Sequence, residues 1–253
     1  MINTIKETGY FFVRNARNNL RNPIWIVIQL SAPLLYVFFF APLLVEVAGD
    51  YANMADTLSG FIPGLLMFVV LSVSIGSGWD AIHDLRDGVL ERFYVAPTNR
   101  MSYLFGQITF RVVKFLVLAS VVLLIALPFG FRVNFGGLVL QLLLLSLVVM
   151  FLASMSIALA LWIKQSNGYA MVESGIQLPI TLLAGVLLPL SLGPRWLQIV
   201  GYVNPLFWVV EASRSLAIGD FSNISVWLSF VIVLPLLFSM MFFATHFYKR
   251  SLR

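Results

Sequence analysis

Of the 253 residues, 60% are hydrophobic and only 11% charged, against roughly half and about a quarter in an ordinary soluble domain, an excess that one globular core cannot hide. The net charge of +5 has no soluble basic face to carry it and sits beside apolar runs, so it reads as a topology signal, and a nucleic-acid partner is not expected. Zero cysteines exclude disulfides and thiolate metal sites, and two isolated histidines, His83 and His246, make no ligand cluster.

Residues 1–22 set Ile2, Ile5, Phe12, Val13, Ala16 and Leu20 at helical spacing among Arg and Asn. This reads as an amphipathic interfacial helix on the cytoplasmic leaflet. Lys6, Arg14, Arg17 and Arg21 precede no short apolar core with a small-residue cleavage site, so a removable signal peptide is not expected. The first span is expected from Pro23 to Leu44, with Pro33 as an internal kink. The next loop carries Glu46, Asp50 and Asp56 without Lys or Arg, and a second span covers Leu58 to Trp79. A densely charged stretch, Asp80 to Arg100, leads to a third span, Tyr103 to Phe129, whose Arg111 and Lys114 can snorkel back to the headgroups.

The fourth span is Gly136 to Ile163, the fifth Tyr169 to Leu190 and the last Val226 to Phe247. Continuous runs such as Leu138 to Ile163 lack the alternation of a β-barrel strand and have the length a helix needs to cross roughly 30 Å of hydrocarbon. Trp196 to Ile218 is also long and apolar, but it contains Pro205, Glu211 and Arg214, and each central charge would cost a few kcal/mol in lipid. It is expected as two short re-entrant or interfacial helices on the outer face, broken at Asn204 and Pro205, with Glu211 and Arg214 paired three residues apart. With the N-terminus inside, every Lys and Arg except Arg132, Arg195 and Arg214 lies on the cytoplasmic side. The fold class is thus an all-α membrane protein: six transmembrane helices in a single transmembrane domain, residues 1–253, both ends cytoplasmic.

Chemistry is sparse. There is no Gly-Lys-Ser or Gly-Lys-Thr phosphate loop, no Gly-x-Ser-x-Gly elbow and no His-Glu-x-x-His, so neither ATP hydrolysis by the Walker route nor another catalytic role is expected of this chain, and no metal or catalytic residue is assigned. Halves that do not mirror one another weaken an ion-coupled carrier built on inverted repeats. Glu173, near the cytoplasmic end of the fifth span, is costly if unpaired, and Lys164 across a short loop is its expected partner. Ser72 with Gly76, and Ser74 with Gly78, are four apart and make close-approach faces. The stretch after the second span offers an apolar face, Val89, Leu90, Phe93 and Tyr94, interrupted by Gly88 and stopped by Pro97, built to contact a partner at a surface.

Three motifs in order carry a resemblance. Asp87-Gly88-Val89-Leu90-Glu91-Arg92 followed by Ala96-Pro97-Thr98-Asn99-Arg100 resembles the cytoplasmic signature of type-two ATP-binding-cassette exporter permeases. Ala184-Gly185-Val186-Leu187-Leu188-Pro189, then Pro194-Arg195-Trp196-Leu197, Asn204-Pro205-Leu206 and Glu211-Ala212-Ser213-Arg214, is similar to the family's fifth helix and outer re-entrant helices. Phe61-Ile62-Pro63-Gly64-Leu65-Leu66 matches the Pro-Gly opening of the second helix in daunorubicin-resistance-type and nodulation-type permeases. Val89 stands where many members have Thr, and Ala184 where many have Ser.

The resemblance implies a permease homodimer in the cell (cytoplasmic) membrane, working with two copies of an ATPase subunit. That subunit, not this chain, would bind ATP and Mg. A coupling helix between helices two and three would dock into it through Asp87, Gly88, Leu90, Glu91, Arg92 and Phe93. The cavity would be lined by the first, second and fifth helices, which makes Gln29, Met67, Ser72, Gln177 and Thr181 the transport-pathway candidates. Interhelical bonding and packing explain isolated polar residues in membrane bundles more often than substrate contact does, and that alternative stays open. The cargo implied is a drug, peptide or lipid-like compound, with a polysaccharide or lipid-linked glycan as the nearest rival.

Overall fold

A computed structural model describes residues 2–21, 24–40, 54–89, 100–129, 131, 134–186, 190 and 193–251. Among these, every regular element is helical: α1 (Ile2–Arg21), α2 (Ile24–Leu35) running into a π turn (Tyr36–Phe40), α3 (Met54–Arg86), α4 (Arg100–Ala126) with a 3-10 turn (Leu127–Phe129), α5 (Phe135–Ile163), α6 (Ser166–Leu183), α7 (Arg195–Val203), α8 (Pro205–Ile218) and α9 (Ile224–Ser251). Among the described residues, four helices are long and apolar enough to cross a bilayer: Leu58–Arg86, Met101–Phe129, Phe135–Ile163 and Ile224–Tyr248. Val27–Phe39 is apolar but shorter, and α6, at 18 residues, covers about 27 Å at 1.5 Å per residue.

Helices α3 and α5 pack against each other at the centre, with α9 on α5, α4 beside both, and α8 filling the space between α3, α5 and α9. The core joins Leu65, Leu66 and Val69 of α3 to Leu144 and Val148 of α5 and Val209 of α8, all essentially unexposed. The helix α5 is apolar on every side, the pattern of a helix surrounded by protein and lipid together: Leu144 and Val148 face the core, while Val139 and Leu143 are exposed. It begins where the Asn134 side chain accepts the Gly137 N–H at 3.2 Å. Lys164, in the left-handed region at φ 58°, turns the chain out of it with its N–H on the Ala160 carbonyl.

The second span runs unbroken into the charged stretch: α3 continues past Trp79 through Arg86, so Asp80 and Asp84 are helical, and the helix ends just before Gly88. One expectation about charge is corrected. Arg111 and Lys114 do not reach for headgroups. Both are buried, because their face of α4 turns toward neighbouring helices, where the guanidinium of Arg111 pairs with Asp80. The break inside Trp196 to Ile218 falls where expected. Asn204 is non-helical, its side chain accepts the Leu206 N–H at 3.0 Å, and Pro205 opens α8 at a position whose N–H has no helical partner to lose. Pro33 lies inside α2, and the helix passes into a π turn from Tyr36 onward.

Candidate transport cleft and coupling face

An apolar cleft of about 60 Å³ opens between α3, α5 and α6. Leu71, Ile75, Leu152, Met155, Ile176 and Ile180 form its walls, and its polar atoms come from Ser74, Ser156, Tyr169, Glu173 and Gln177. The helix α6 is held there by a seam of hydrogen bonds that includes no ion pair among the described residues. The Ser156 hydroxyl lies 2.8 Å from the Tyr169 hydroxyl and 3.0 Å from the Ile75 carbonyl, and it accepts the Gly78 N–H at 2.9 Å. A β-carbon on Gly78 would run into both hydroxyls, so the four-residue spacing of Ser74 and Gly78 does serve close approach. One turn further along α6, Glu173 accepts the indole N–H of Trp79 at 2.7 Å, and the Trp79 ring meets Tyr169 edge-on at 5.2 Å. Trp79 is thus the partner of Glu173 where Lys164 was expected; Lys164 is exposed at the end of α5.

On the other side of α3 the bonds are charged. Arg14 of α1 pairs with Asp84, whose second oxygen accepts the Tyr103 hydroxyl at 2.9 Å; Gln107 donates to that hydroxyl at 2.7 Å. Ser102 donates to Glu7 at 2.9 Å. Phe11 meets the Tyr103 ring edge-on and Tyr248 of α9 stacks on it at 5.3 Å. Arg111, its side chain 3% exposed, pairs with Asp80 and lies 5.7 Å from the Phe110 ring centre. A charge this deep is tolerable only when paired and hydrogen-bonded. Four helices, α1, α3, α4 and α9, are locked together at one end.

At the opposite end Arg214 acts as a clasp. It donates to Glu211 at 2.7 Å, the pair expected from their spacing, and also to the Gly60 carbonyl at 3.1 Å and the Gly185 carbonyl at 2.6 Å. Asn204 adds a bond from its amide to the Ile180 carbonyl at 3.1 Å. The Ala184-Gly185-Val186 motif is therefore fastened to α8, and the Pro63-Gly64 motif presses on the Val186 backbone where no β-carbon would fit.

Sequence comparison bears on what this arrangement belongs to. The sequence model of the family described as ABC-2 type transporter matches residues 6–218. The chain belongs to that family. It is 32% identical over 204 residues to a protein named as a ycf38 transport permease of Cyanophora paradoxa, covering 78% of this chain and 69% of the relative. It is 24% identical over 203 residues to the daunorubicin resistance ABC transporter permease protein DrrB1 of Streptomyces coeruleorubidus, covering 78% and 70%. A protein of Mycobacterium tuberculosis named as the doxorubicin resistance ABC transporter permease DrrC is 27% identical over 222 residues, covering 85% and 77%. The resemblance in the motifs is thus matched over most of the chain, and the molecule is a multi-pass membrane permease of the ABC-2 transporter type.

The candidate residues of the permease fall into separate places. Gln177 lines the cleft, and Thr181, one turn on, donates to the Gln177 carbonyl at 2.7 Å. Ser72 is half-buried on α3, outside the cleft lining, and Met67 is fully buried in the central core. Gln29, half-buried on α2, has a side-chain oxygen that is buried without a partner. Asp87, exposed, and Gly88, at φ 64°, form the turn that ends α3, with the Asp87 N–H on the His83 carbonyl at 2.9 Å. Leu90, Glu91, Arg92 and Phe93 lie outside the described residues. Sequence reading missed Trp79 and Tyr169. Their signal was an indole and a phenol at the end of apolar runs, each with a donor that needs an acceptor when buried.

Proposed function

We propose that this permease exports an amphipathic small molecule, a drug, antibiotic, peptide or lipid-like compound, using ATP hydrolysed by two copies of a separate ATPase. In this reading two copies of the chain pair in the cytoplasmic membrane as one transmembrane domain each, residues 1–253, with both termini cytoplasmic. The observation that carries it is the family match across residues 6–218 together with relatives named for daunorubicin and doxorubicin resistance. Six crossings follow if α2 with its π turn and α6 join the four longer helices, leaving α7 and α8 as the outer re-entrant pair around Asn204, Pro205, Glu211 and Arg214.

The cleft supports a pathway between α3, α5 and α6 as the place where the helices would part: at about 60 Å³ it would have to widen toward the roughly 300–1,000 Å³ of a small-molecule site before it took an amphipathic ligand. Gln177 and Glu173 would orient a polar end there, with Gln29, Met67, Ser72 and Thr181 entering the pathway only as the helices rearrange. The coupling face would be Asp87, Gly88, Leu90, Glu91, Arg92 and Phe93 following α3, and ATP and Mg would sit on the ATPase. ATP-driven closure of the two ATPases would pull the charged end of α3, and the α1, α4 and α9 ends tied to it, as one body.

The test is reconstitution of the chain with the ATPase encoded beside it, measuring ATP hydrolysis across amphipathic drugs, lipids and glycans. Stimulation by an amphipathic drug is expected, and the double substitution Leu90→Glu with Phe93→Glu should abolish that stimulation while leaving basal hydrolysis. Stimulation by glycans alone would replace the cargo assignment, and pumping by the purified chain without an ATPase would end the whole reading.

A further inference from the structure

The helix α1 has two working faces, and only one is occupied by the protein. Its inner face, with Phe11, Arg14 and Asn15, is packed on α4 and tied to α3. At 100° per residue, Ile5, Val13, Ala16 and Leu20 fall within a sector of about 80° on the opposite side, and Lys6, Arg17 and Arg21 fall within about 60° along one edge of it. No described residue covers that sector: Ile5 is 73% and Leu20 71% exposed. A shallow groove runs along it, lined by Val13, Ala16, Leu20 and the two arginines Arg17 and Arg21. Lys6, Arg17 and Arg21 are exposed and enter no ion pair among the described residues. Glu7, the single acid of α1, is turned away from them onto Ser102.

We infer that this face is a docking surface for anionic phospholipid. Acyl chains would lie against Ile5, Val13 and Leu20, and phosphate-bearing headgroups would be held along the stripe from Lys6 to Arg21. The reason is complementarity of both kinds on one surface. An apolar sector alone would suit any lipid, but a flanking row of cations with no acid among them selects negative headgroups, each Lys or Arg contributing roughly a fivefold preference near an anionic surface. An apolar partner protein would gain nothing from the cations, and a second copy of the same face would bring like charges together. The inference needs the membrane setting of the permease, not its export activity. Its consequence is mechanical: lipid held on the outer face of α1 presses the inner face onto Asp84 and Ser102, so the leaflet's charge would set how firmly α1, α3 and α4 move together.

The chain has no cysteine, so single-cysteine probes report one position each. The experiment uses the full chain in detergent for native mass spectrometry with phosphatidylglycerol against phosphatidylcholine, and in vesicles of either lipid with a spin label at Leu20→Cys or Asn15→Cys. Expected are retention of phosphatidylglycerol over phosphatidylcholine, weakened by salt, and a loss of that preference on the order of a hundredfold in Lys6→Gln/Arg17→Gln/Arg21→Gln. The charge-preserving Arg17→Lys/Arg21→Lys should keep it, and the Leu20 label should lie in lipid while the Asn15 label stays immobilised against protein. An unchanged preference in the triple Gln variant, with the protein monodisperse, would overturn the inference. So would a Leu20 label that reports water in phosphatidylglycerol vesicles and becomes shielded only when the ATPase is added. Neither readout depends on ATP hydrolysis, so failure of the export reading would leave these results standing, and the reverse.

Discussion

The two sides of α3 are built on different chemistry. Toward α1 and α4 it presents Asp80 and Asp84 to Arg111 and Arg14, with Tyr103 and Tyr248 stacked over the junction. Toward α5 and α6 it presents a glycine N–H, a backbone carbonyl and an indole N–H, which meet Ser156 of α5 and Tyr169 and Glu173 of α6. Ion pairs in a low-dielectric setting punish separation, because each half left behind is an uncompensated charge. Neutral hydrogen bonds can be exchanged for bonds to water or ligand at a net difference of about 1 kcal/mol each. The contrast makes α1, α3 and α4 the end that ion pairs hold together, whereas α6, of which only Tyr169 is buried among its own residues, is held beside α3 by hydrogen bonds without an ion pair and at its far end by the Asn204 bond to Ile180.

The sharpest way to break that contrast is Asp80→Ala, which leaves the buried Arg111 without its carboxylate. It should destabilise the purified chain by about 3 kcal/mol, read as a drop in thermal unfolding temperature in detergent, with much of the loss recovered in Asp80→Ala/Arg111→Met. A loss under about 1 kcal/mol would mean the charged side is no more rigid than the other. Next in size is Gly78→Ala, whose β-carbon would force Tyr169 and Ser156 apart at a cost of about 2 kcal/mol. That cost should be confined to α6: thiol labelling of a cysteine placed at the cleft residue Ile176 should speed up, while labelling of a cysteine at Asn15 should not. Equal effects at both positions would show that α6 and the charged end are one unit. Smallest is Trp79→Phe, which removes one donor to Glu173 and should cost about 1 kcal/mol. It should raise α6 accessibility slightly and leave the α1 side untouched. No change in Ile176 labelling would show that Tyr169, not Trp79, holds the seam.

Much of the fold was readable because lipid tolerates few solutions. Apolar runs near the required length had to be helices, and four of them are seen as such. The break at Asn204 and Pro205 was legible because a side-chain cap followed by a residue without an N–H is a local signal that needs no neighbours. The Glu211 to Arg214 pair was legible for the same reason, as was close approach at Gly78. Met67 shows the opposite. Its residue type suits a cavity or a core equally, and only the neighbours of α3 put it among fully buried side chains. The partner of Glu173 was misread because sequence distance favoured Lys164, whereas the bond comes from Trp79 on another helix.

The residues by themselves determined where the chain is too apolar for water, which charges border those stretches, and where helices must stop, since each depends on composition or on atoms within a few positions. Tertiary structure alone decided the direction each charge points. Arg111 and Lys114 lie in the middle third of α4, although the sequence places them near the start of an apolar run from which a long side chain could reach headgroups. The carboxylate of Asp80, set on the adjacent helix by the packing of α3 against α4, is what draws the Arg111 guanidinium inward.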